Sequence, residues 1–253
     1  MKKLFKTSLF LTLIILLVSV LLAGCVFLNL SGNVQGGSAV RAQGSRENYE
    51  IKVGSFNKIK VESACEIIYN YGNSDTVTLF VQPNIREYID VIVTDGELIV
   101  RPNRNINYNS NNKPVLTVYT PFLNQIVLEG AGTFTANDKI AADSLTFNIA
   151  GAGSGTAELD VDTFNMILSG AGNVKLSGRA DNSTVIVSGA GDYNALSLLT
   201  RDSVINLSGA GSVKVNTTGT LHISADGAGT IEYKGSPVLN LNTSGLVKIK
   251  NLN

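Results

Sequence analysis

The amino-acid sequence predicts an all-β protein whose body is a parallel β-helix, a solenoid with coils of about 19 residues. Three observations support this fold class. A Gly-Ala-Gly tripeptide recurs at nearly constant spacing, apolar and polar residues alternate on both sides of each tripeptide, and no helical period is visible beyond the apolar N-terminus. A polar stretch between consecutive repeats, such as residues 177–182, predicts a second corner in each coil.

The tripeptide occurs six times, and Ser244-Gly245 is a degenerate further copy. Successive first glycines are 21, 19, 19, 20, 18 and 18 residues apart, as in stacked repeats. Two glycines within three residues allow backbone conformations that other residues avoid. Alanine is small enough to line such a corner, so we expect aspartate in place of Ala171 and Ala190 to impair folding. The predicted structural turn glycines are Gly130, Gly132, Gly151, Gly153, Gly170, Gly172, Gly189, Gly191, Gly209, Gly211, Gly227 and Gly229.

Apolar residues recur at fixed positions around each corner, alternating with polar ones such as Asn148 and Lys175. Alternate residues of a strand point to one face, so each repeat has one buried and one solvated face. A single repeat cannot bury its apolar face, whereas stacked repeats can. Four residues before the first glycine are Ile126, Phe147, Met166, Val185, Ile205, Ile223 and Leu241, and four after it are Phe134, Gly155, Val174, Tyr193, Val213, Ile231 and Ile249.

Two other all-β folds fit less well. The blades of a β-propeller need about 40 residues, so pairing the repeats would give about three blades, below the usual minimum of four. An antiparallel barrel does not require the same tripeptide at one position of every repeat.

The sequence preceding the repeats is also rich in predicted strands. Residues 56–61 and 76–81 alternate apolar and polar side chains, and Asp95-Gly96 between two β-rich runs predicts a tight turn. We therefore assign residues 49–253 to the β-helix, with divergent N-terminal coils over 49–123 and Gly-Ala-Gly repeats over 124–253.

The N-terminus has the features of an export signal. Lys2, Lys3 and Lys6 precede a nearly continuous apolar run that ends in Leu22-Ala23-Gly24-Cys25. This ending resembles a bacterial lipobox, and the resemblance implies a signal peptide over 1–24 and a lipid on Cys25. The alternative is an uncleaved transmembrane anchor. Either would attach the protein to a membrane with its bulk outside the cytoplasm, on the periplasmic side or at the cell surface, and residues 25–48 are predicted to be a flexible Gly/Ser-rich linker.

The repeated Ser-Gly-Ala-Gly, the Phe56-Asn57-Lys58-Ile59-Lys60-Val61 block and the Asp95-Gly96-Glu97-Leu98-Ile99-Val100 block together resemble one bacterial family, the auto-transporter adhesin, head GIN domain proteins (DUF2807). The resemblance covers about residues 50–253. It implies a right-handed parallel β-helix, export or attachment to the cell envelope, and a surface interaction with a glycan or protein. It implies no catalytic residues.

Composition excludes several classes of function. The formal net charge is zero, and removal of the three signal lysines leaves a small acidic excess, so a nucleic-acid partner is not expected. One histidine and two cysteines are too few for a metal site built from several such ligands, and we expect neither metal nor cofactor. His222 is predicted to be a solvated surface residue rather than part of a Ser-His-Asp site. Cys65, in a strand-like stretch, is predicted to be a buried apolar residue rather than a reactive thiol.

Carboxylates are the remaining candidates for catalytic side chains. They do not recur at one repeat position, which favours turn capping and solubility over a catalytic cluster. An Arg179 or Arg201 side chain beside several carboxylates in a groove would favour a polysaccharide-active enzyme. The carboxylates near predicted turns are Asp138, Asp143, Asp160, Asp162, Asp181, Asp192 and Asp202.

The sequence therefore predicts a non-enzymatic, lipid-anchored envelope protein whose β-helix binds a surface glycan or protein or serves as a spacer. A polysaccharide-active enzyme on the same scaffold is the alternative. Self-association through the β-helix ends is a further hypothesis, because no capping helix follows the last repeat and Lys248 and Lys250 have the position of charged gatekeepers.

Overall fold

A computed structural model describes residues 39–107 and 112–253, so the predicted signal peptide and Cys25 lie outside the described residues. In the described part, the regular secondary structure is β-strand apart from one helix of a single turn. The elements are β1 (Val40–Arg41), β2 (Glu47–Lys52), β3 (Lys58–Val61), β4 (Glu66–Asn70), β5 (Thr76–Val81), α1 (Pro83–Arg86), β6 (Ile89–Thr94), β7 (Glu97–Pro102), β8 (Ile106–Asn107), β9 (Val115–Tyr119), β10 (Gln125–Leu128), β11 (Thr133–Ala136), β12 (Ile140–Ile149), β13 (Ser154–Leu168), β14 (Asn173–Val187), β15 (Asp192–Leu207), β16 (Ser212–Thr217), β17 (Thr220–Ala225), β18 (Ala228–Lys234), β19 (Val238–Thr243) and β20 (Leu246–Asn251).

The strands form two parallel ladders that meet at the Gly-Ala-Gly corner, which confirms the parallel β-helix. One ladder, which precedes the corner in each coil, runs β7–β3–β10–β12–β13–β14–β15–β17–β19. The other, which follows the corner, runs β9–β4–β11–β13–β14–β15–β16–β18–β20. β13, β14 and β15 are long because each continues around the far corner and contributes to both ladders.

The core consists of the inward-facing residues, stacked coil upon coil. The apolar position before each corner forms one unbroken stack from Ile126 to Leu241, in the predicted register. The structure extends this stack through Ile59 and Leu98, which the repeat pattern did not include.

Within the other stack, Gly155 leaves space for the Phe147 ring, because a Cβ at Gly155 would overlap that ring. Phe147 also packs edge-on against Phe134, with ring centroids 5.7 Å apart.

The corner glycines are needed for a different reason from the one that the sequence suggests. None of them has a positive φ, so left-handed backbone is not the requirement. A Cβ on Gly170 would instead overlap the carbonyl oxygen of Gly151 in the coil beneath, and the same clash recurs at Gly189, Gly209 and Gly227. The second glycine of each corner is also crowded, since a Cβ on Gly172 would lie 2.7 Å from the Gly153 carbonyl oxygen.

The alanine of the tripeptide does not line the corner. Ala171 and Ala190 are exposed on the outside of the ridge. Their amide groups continue the ladder, with Ala171 N–H donating to Gly151 O and Ala190 N–H donating to Gly170 O, both at 3.1 Å. The premise that alanine lines the corner is therefore wrong, and the effect of aspartate at these two positions on folding stays a prediction.

The N-terminal region differs from the predicted succession of divergent coils. Two coils without the tripeptide, β3–β4 and β7–β9, continue the parallel ladders. Beyond them the chain turns antiparallel, with β6 on β7, β5 on β9, and β2 on β5. The Asp95-Gly96 turn explains part of this change, because positive φ at both residues (51° and 73°) makes a tight reversal rather than a coil. The Asn84 side chain forms hydrogen bonds with the backbone of Arg41 and Gln43, which lie in the range assigned to a linker. The ordered body therefore begins earlier than predicted.

The two ends of the β-helix differ in how they are closed. At the N-terminal end, α1 connects β5 to β6 and buries Ile85 completely in the core. At the C-terminal end, β19 and β20 have exposed side chains along most of their length. Leu241, the last member of the inner stack, is 52% exposed, whereas Ile223 beneath it is fully buried.

We expect Gly170→Ala to lower the free energy of unfolding by about 2–3 kcal/mol, because the new methyl group must displace the Gly151 carbonyl. The matched control is Ala171→Ser at the adjacent exposed position, which should change stability by less than about 0.5 kcal/mol. Urea denaturation of the compact unit, residues 39–253, measures both. A Gly170→Ala protein as stable as the unsubstituted one would show that the corner is not close-packed.

Candidate functional site

A cleft of about 490 Å³ lies near the N-terminal end, where regular coils give way to antiparallel strands. We call it the aromatic cleft. Four connections that are remote in sequence form it: the β2–β3 loop, the β4–β5 turn, the β6–β7 turn and the segment that links β9 to β10. Its lining residues are Ser55, Phe56, Asn57, Asn73, Ser74, Gly96, Tyr119, Thr120, Pro121 and Phe122.

Hydrogen bonds hold the floor of the aromatic cleft in place. The buried Thr120 hydroxyl donates to the Phe56 carbonyl at 2.7 Å, and Tyr69, fully within the core, donates its phenol proton to the Thr120 carbonyl at 3.2 Å. The Asn57 backbone N–H donates to Gly96 O at 3.0 Å. These contacts tie the loops to the ends of core strands, so the cleft is preformed rather than assembled from free loops.

Two aromatic side chains stand at the surface of this rigid base. Phe122 is 72% exposed and Tyr119 is 38% exposed. Gly72 packs close to the Tyr119 ring, because a Cβ built on Gly72 would lie only 3.4 Å from a ring atom. Asn57, Asn73, Ser55 and Ser74 line the cleft with these two residues, and the Ser74 hydroxyl donates to the Thr76 carbonyl at 3.0 Å.

A second, larger cavity of about 750 Å³ adjoins the first and shares Phe122 with it. Its polar lining is acidic, with exposed Asp143, Asp160 and Asp162. Asp160 pairs with Lys139 at 3.6 Å, and both side chains are about half exposed, so this ion pair is screened by solvent. Phe122 therefore lies between a neutral cleft and an acidic surface.

The second corner of the coils carries the arginine and aspartate side chains that the sequence singled out. Arg179 and Arg201 line a shallow cavity of about 300 Å³ together with Asp181. Arg179 Nη2 lies 2.7 Å from Asp181 Oδ1, and Arg201 Nε lies 2.8 Å from Asp202 Oδ2. These hydrogen bonds lower the pKa of Asp181 and of Asp202, whereas a general acid requires a raised pKa. One carboxylate, Asp181, lines this shallow cavity, so the groove with several carboxylates that would favour an enzyme is not formed here.

The remaining predicted candidates have structural or surface positions. His222 is exposed on β17, between Val204 and Asn240 of adjacent coils. Cys65 is 1% exposed, and burial raises the pKa of its thiol to about 12. Its interpretation as a buried apolar residue agrees with this environment. The Gly-Ala-Gly corners lie outside the aromatic cleft.

The described residues contain no group of three or more histidine, cysteine or acidic side chains placed to hold a metal ion. Within the same ranges, no helix is long and apolar enough to cross a membrane.

A parallel β-helix that carries a cleft lined by exposed aromatic and amide-bearing residues is the architecture of a binding module. The sequence matches the family described as "Putative auto-transporter adhesin, head GIN domain" over residues 55–237. The chain therefore belongs to this family, and the resemblance noted from its repeated motifs is confirmed. The family description is that of an adhesin.

Several solved structures share the fold. A "putative adhesin" from Bacteroides fragilis NCTC 9343 is 26% identical, with a TM-score of 0.79 over 85% of this chain and 100% of that one. A "putative lipid binding protein" from Parabacteroides distasonis ATCC 8503 is 19% identical, with a TM-score of 0.68 over 85% and 100%. A "putative adhesin" from Parabacteroides merdae ATCC 43184 is 19% identical, with a TM-score of 0.64 over 86% and 100%. No curated protein matches the chain.

We expect Cys65 to resist thiol reagents in the folded protein, because the thiolate is the reactive form and burial disfavours it. In residues 39–253 it is the only thiol, so an absorbance assay at pH 8 with and without denaturant measures it directly. Native protein that reacts as fast as unfolded protein would contradict this burial.

Proposed function

We propose that this protein is a lipid-anchored, non-enzymatic adhesion module of the cell envelope that binds a neutral glycan in the aromatic cleft. The observation that carries the proposal is Phe122, a large apolar side chain 72% exposed on a rigid base and surrounded by hydrogen-bonding side chains. Exposed aromatic residues beside convergent polar groups are typical of ligand sites.

Sugar rings match this arrangement chemically. The apolar C–H face of a pyranose packs on an aromatic ring, whose face carries partial negative charge. Asn57 and Asn73 each offer an amide donor and an amide acceptor, which suit the hydroxyl groups at the edge of the sugar. A cleft of about 490 Å³ has room for a short oligosaccharide rather than for a folded partner.

The charge around the cleft selects among glycans. Asp143, Asp160 and Asp162 border the neighbouring cavity, which shares Phe122. An anionic polysaccharide extending from Phe122 across this surface would meet like charge, which weakens binding. Neutral sugars avoid this repulsion and are therefore the proposed ligand class.

Attachment to a membrane follows from the sequence Leu22-Ala23-Gly24-Cys25. A lipid on Cys25, with more than one acyl chain, would hold the protein stably at a membrane. The residues between Cys25 and Val40 would then connect the lipid anchor to the folded body. The body would lie on the extracytoplasmic side of that membrane.

Glycan binding is tested with Phe122→Ala in residues 39–253 on an array of neutral and acidic oligosaccharides, followed by calorimetry on the best neutral ligand. Loss of a central aromatic contact typically costs about 2 kcal/mol, so we expect a Kd roughly thirtyfold higher. The matched control is Leu199→Ala, a 46% exposed apolar residue outside the cleft, which should leave the Kd unchanged. Preference for acidic glycans, or equal effects of both substitutions, would overturn the proposal.

The anchor is tested by metabolic labelling with a fatty-acid analogue. Cys25→Ser should abolish the label and the membrane association of the mature protein, whereas Cys65→Ser should retain both because Cys65 is buried in the core. Label that persists in Cys25→Ser would contradict acylation at Cys25, and unlabelled protein that still sediments with membranes would support an uncleaved anchor.

A further inference from the structure

The C-terminal coil leaves an edge that is both apolar and unpaired among the described strands. β19 pairs with β17, and β20 pairs with β18, but the outer edge of each strand bonds to no other described strand. Inward-facing Leu241 is 52% exposed and inward-facing Leu239 is 37% exposed. Covering this end would remove the apolar surface from water, which stabilises by about 25 cal/mol per Å² of buried apolar area.

The N-terminal end is not available to cover it in a head-to-tail stack. That end is closed by the antiparallel strands β6 and β2, and α1 buries Ile85 between the strands it connects. β2 also carries three charged side chains within six residues, Glu47, Glu50 and Lys52, of the kind that prevent edge-to-edge pairing. The open end of a second copy is therefore the better match.

We propose that two copies of this protein pair tail to tail through their last coils, around a two-fold axis at Gly245. β19 and β20 have the same length of six residues and flank a corner of two residues, Ser244 and Gly245. A two-fold rotation about that corner places β19 of one copy against β20 of the other in antiparallel orientation. The unpaired edges of β19 and β20 in each copy then each pair with one strand of the other copy. This gives a closed isologous dimer rather than a fibre.

The backbone determines the register. Even-numbered residues already donate to the coil beneath: Val238 N–H to Gly219 O (2.7 Å), Leu246 N–H to Gly227 O (2.9 Å) and Leu252 N–H to Tyr233 O (2.8 Å). In a strand, the N–H and C=O groups of alternate residues point to opposite edges, so odd-numbered residues point outward here. Pairing of odd with odd residues about Gly245 places Leu241 opposite Ile249 of the partner subunit.

The same register agrees with the side chains. Leu241 and Ile249 both face the core, so the two cores join without a polar residue between them at this pair. On the outer face, Asn242 lies opposite Lys248 of the partner subunit, and Asn240 lies opposite Lys250 of the partner subunit. β19 contains no charge, so each lysine meets an amide.

The alternative of β20 against β20 brings like charges together. Among the antiparallel registers between two β20 strands that keep the core residues on one face, those centred on Lys248, Ile249 or Lys250 place lysine opposite lysine, and those centred elsewhere leave at least half of each strand unpaired. Directly opposed like charges destabilise a strand pair. The lysines of β20 disfavour a second β20 strand but are compatible with β19. This difference in charge favours pairing of β19 with β20 of the partner subunit.

The test uses residues 39–253, the compact unit, in sedimentation velocity over a concentration series. We expect a monomer–dimer equilibrium without larger species, and a shift to monomer for Leu241→Asp. The matched control is Leu199→Asp, a similarly exposed leucine on β15 away from the last coil, which should dimerise as the unsubstituted protein does. A monomer at all concentrations, or open-ended polymers, would overturn the proposal.

Cross-linking tests the register separately and does not depend on whether Leu241→Asp folds. Asn242→Cys combined with Lys248→Cys places two outward-facing cysteines opposite each other in the dimer, at a Cα separation of about 4.5 Å that a disulfide can bridge. Oxidation should give a covalent dimer, whereas Asn240→Cys with Lys248→Cys, which is out of register, should not. The reverse result would exclude a two-fold axis at Gly245.

This inference does not depend on glycan binding. The dimer uses the C-terminal coil, and the aromatic cleft is formed by residues 55–122. Phe122→Ala should therefore leave the sedimentation behaviour unchanged, so a failure of either proposal can be recognised independently of the other.

Discussion

The fold depends on the close approach of successive coils at the Gly-Ala-Gly corner. Backbone hydrogen bonds between coils set the vertical spacing, which is about 4.8 Å for adjacent strands. At the corner this spacing brings the carbonyl of Gly151 so near to Gly170 that no side chain fits between them. This contact repeats between successive Gly-Ala-Gly coils, where the inner stacks align with it. Ile205, for example, is fully buried because Val185 and Ile223 lie directly below and above it.

Departures from this regular stacking are the places where function is proposed. The aromatic cleft forms where parallel coils change to antiparallel strands, because the loops there differ in length and path and leave Phe122 outside the core. The last coil is the other departure, because it follows the repeat pattern and no described strand pairs with its outer edge. A solenoid interior offers little besides packed side chains, so its ends and irregular loops are where a partner can be recognised.

Much of the fold could be predicted from the sequence because the pattern is periodic. The apolar position before each corner identified a stack that the structure reproduces residue by residue, and the Asp95-Gly96 turn was visible as a dipeptide. The role of the corner glycines was misjudged, because the obstacle is a carbonyl of another coil and local sequence contains no distance between coils. The exposed Ala171 was misjudged for the same reason.

The candidate site was much harder to predict. Ser55, Asn73 and Phe122 are far apart in sequence, and only the stacking of β3, β4 and β10 brings their loops together. A signal was available in Tyr119-Thr120-Pro121-Phe122, an aromatic-rich segment with a proline between two strands. An apolar residue in such a segment could equally be buried, as Leu123 is, so the pattern alone does not distinguish a ligand contact from core.

The corner contact also limits how a protein of this kind can change in length. Each glycine is fitted to the carbonyl beneath it, so a change of length that preserves the stack adds or removes a whole coil. The small differences in repeat length are absorbed at the far corner, where the pairing of β15 with β16 shifts register between Ala195 and Leu199. Evolution can therefore adjust the distance between the two ends in steps of about 4.8 Å, one coil at a time, without altering either end.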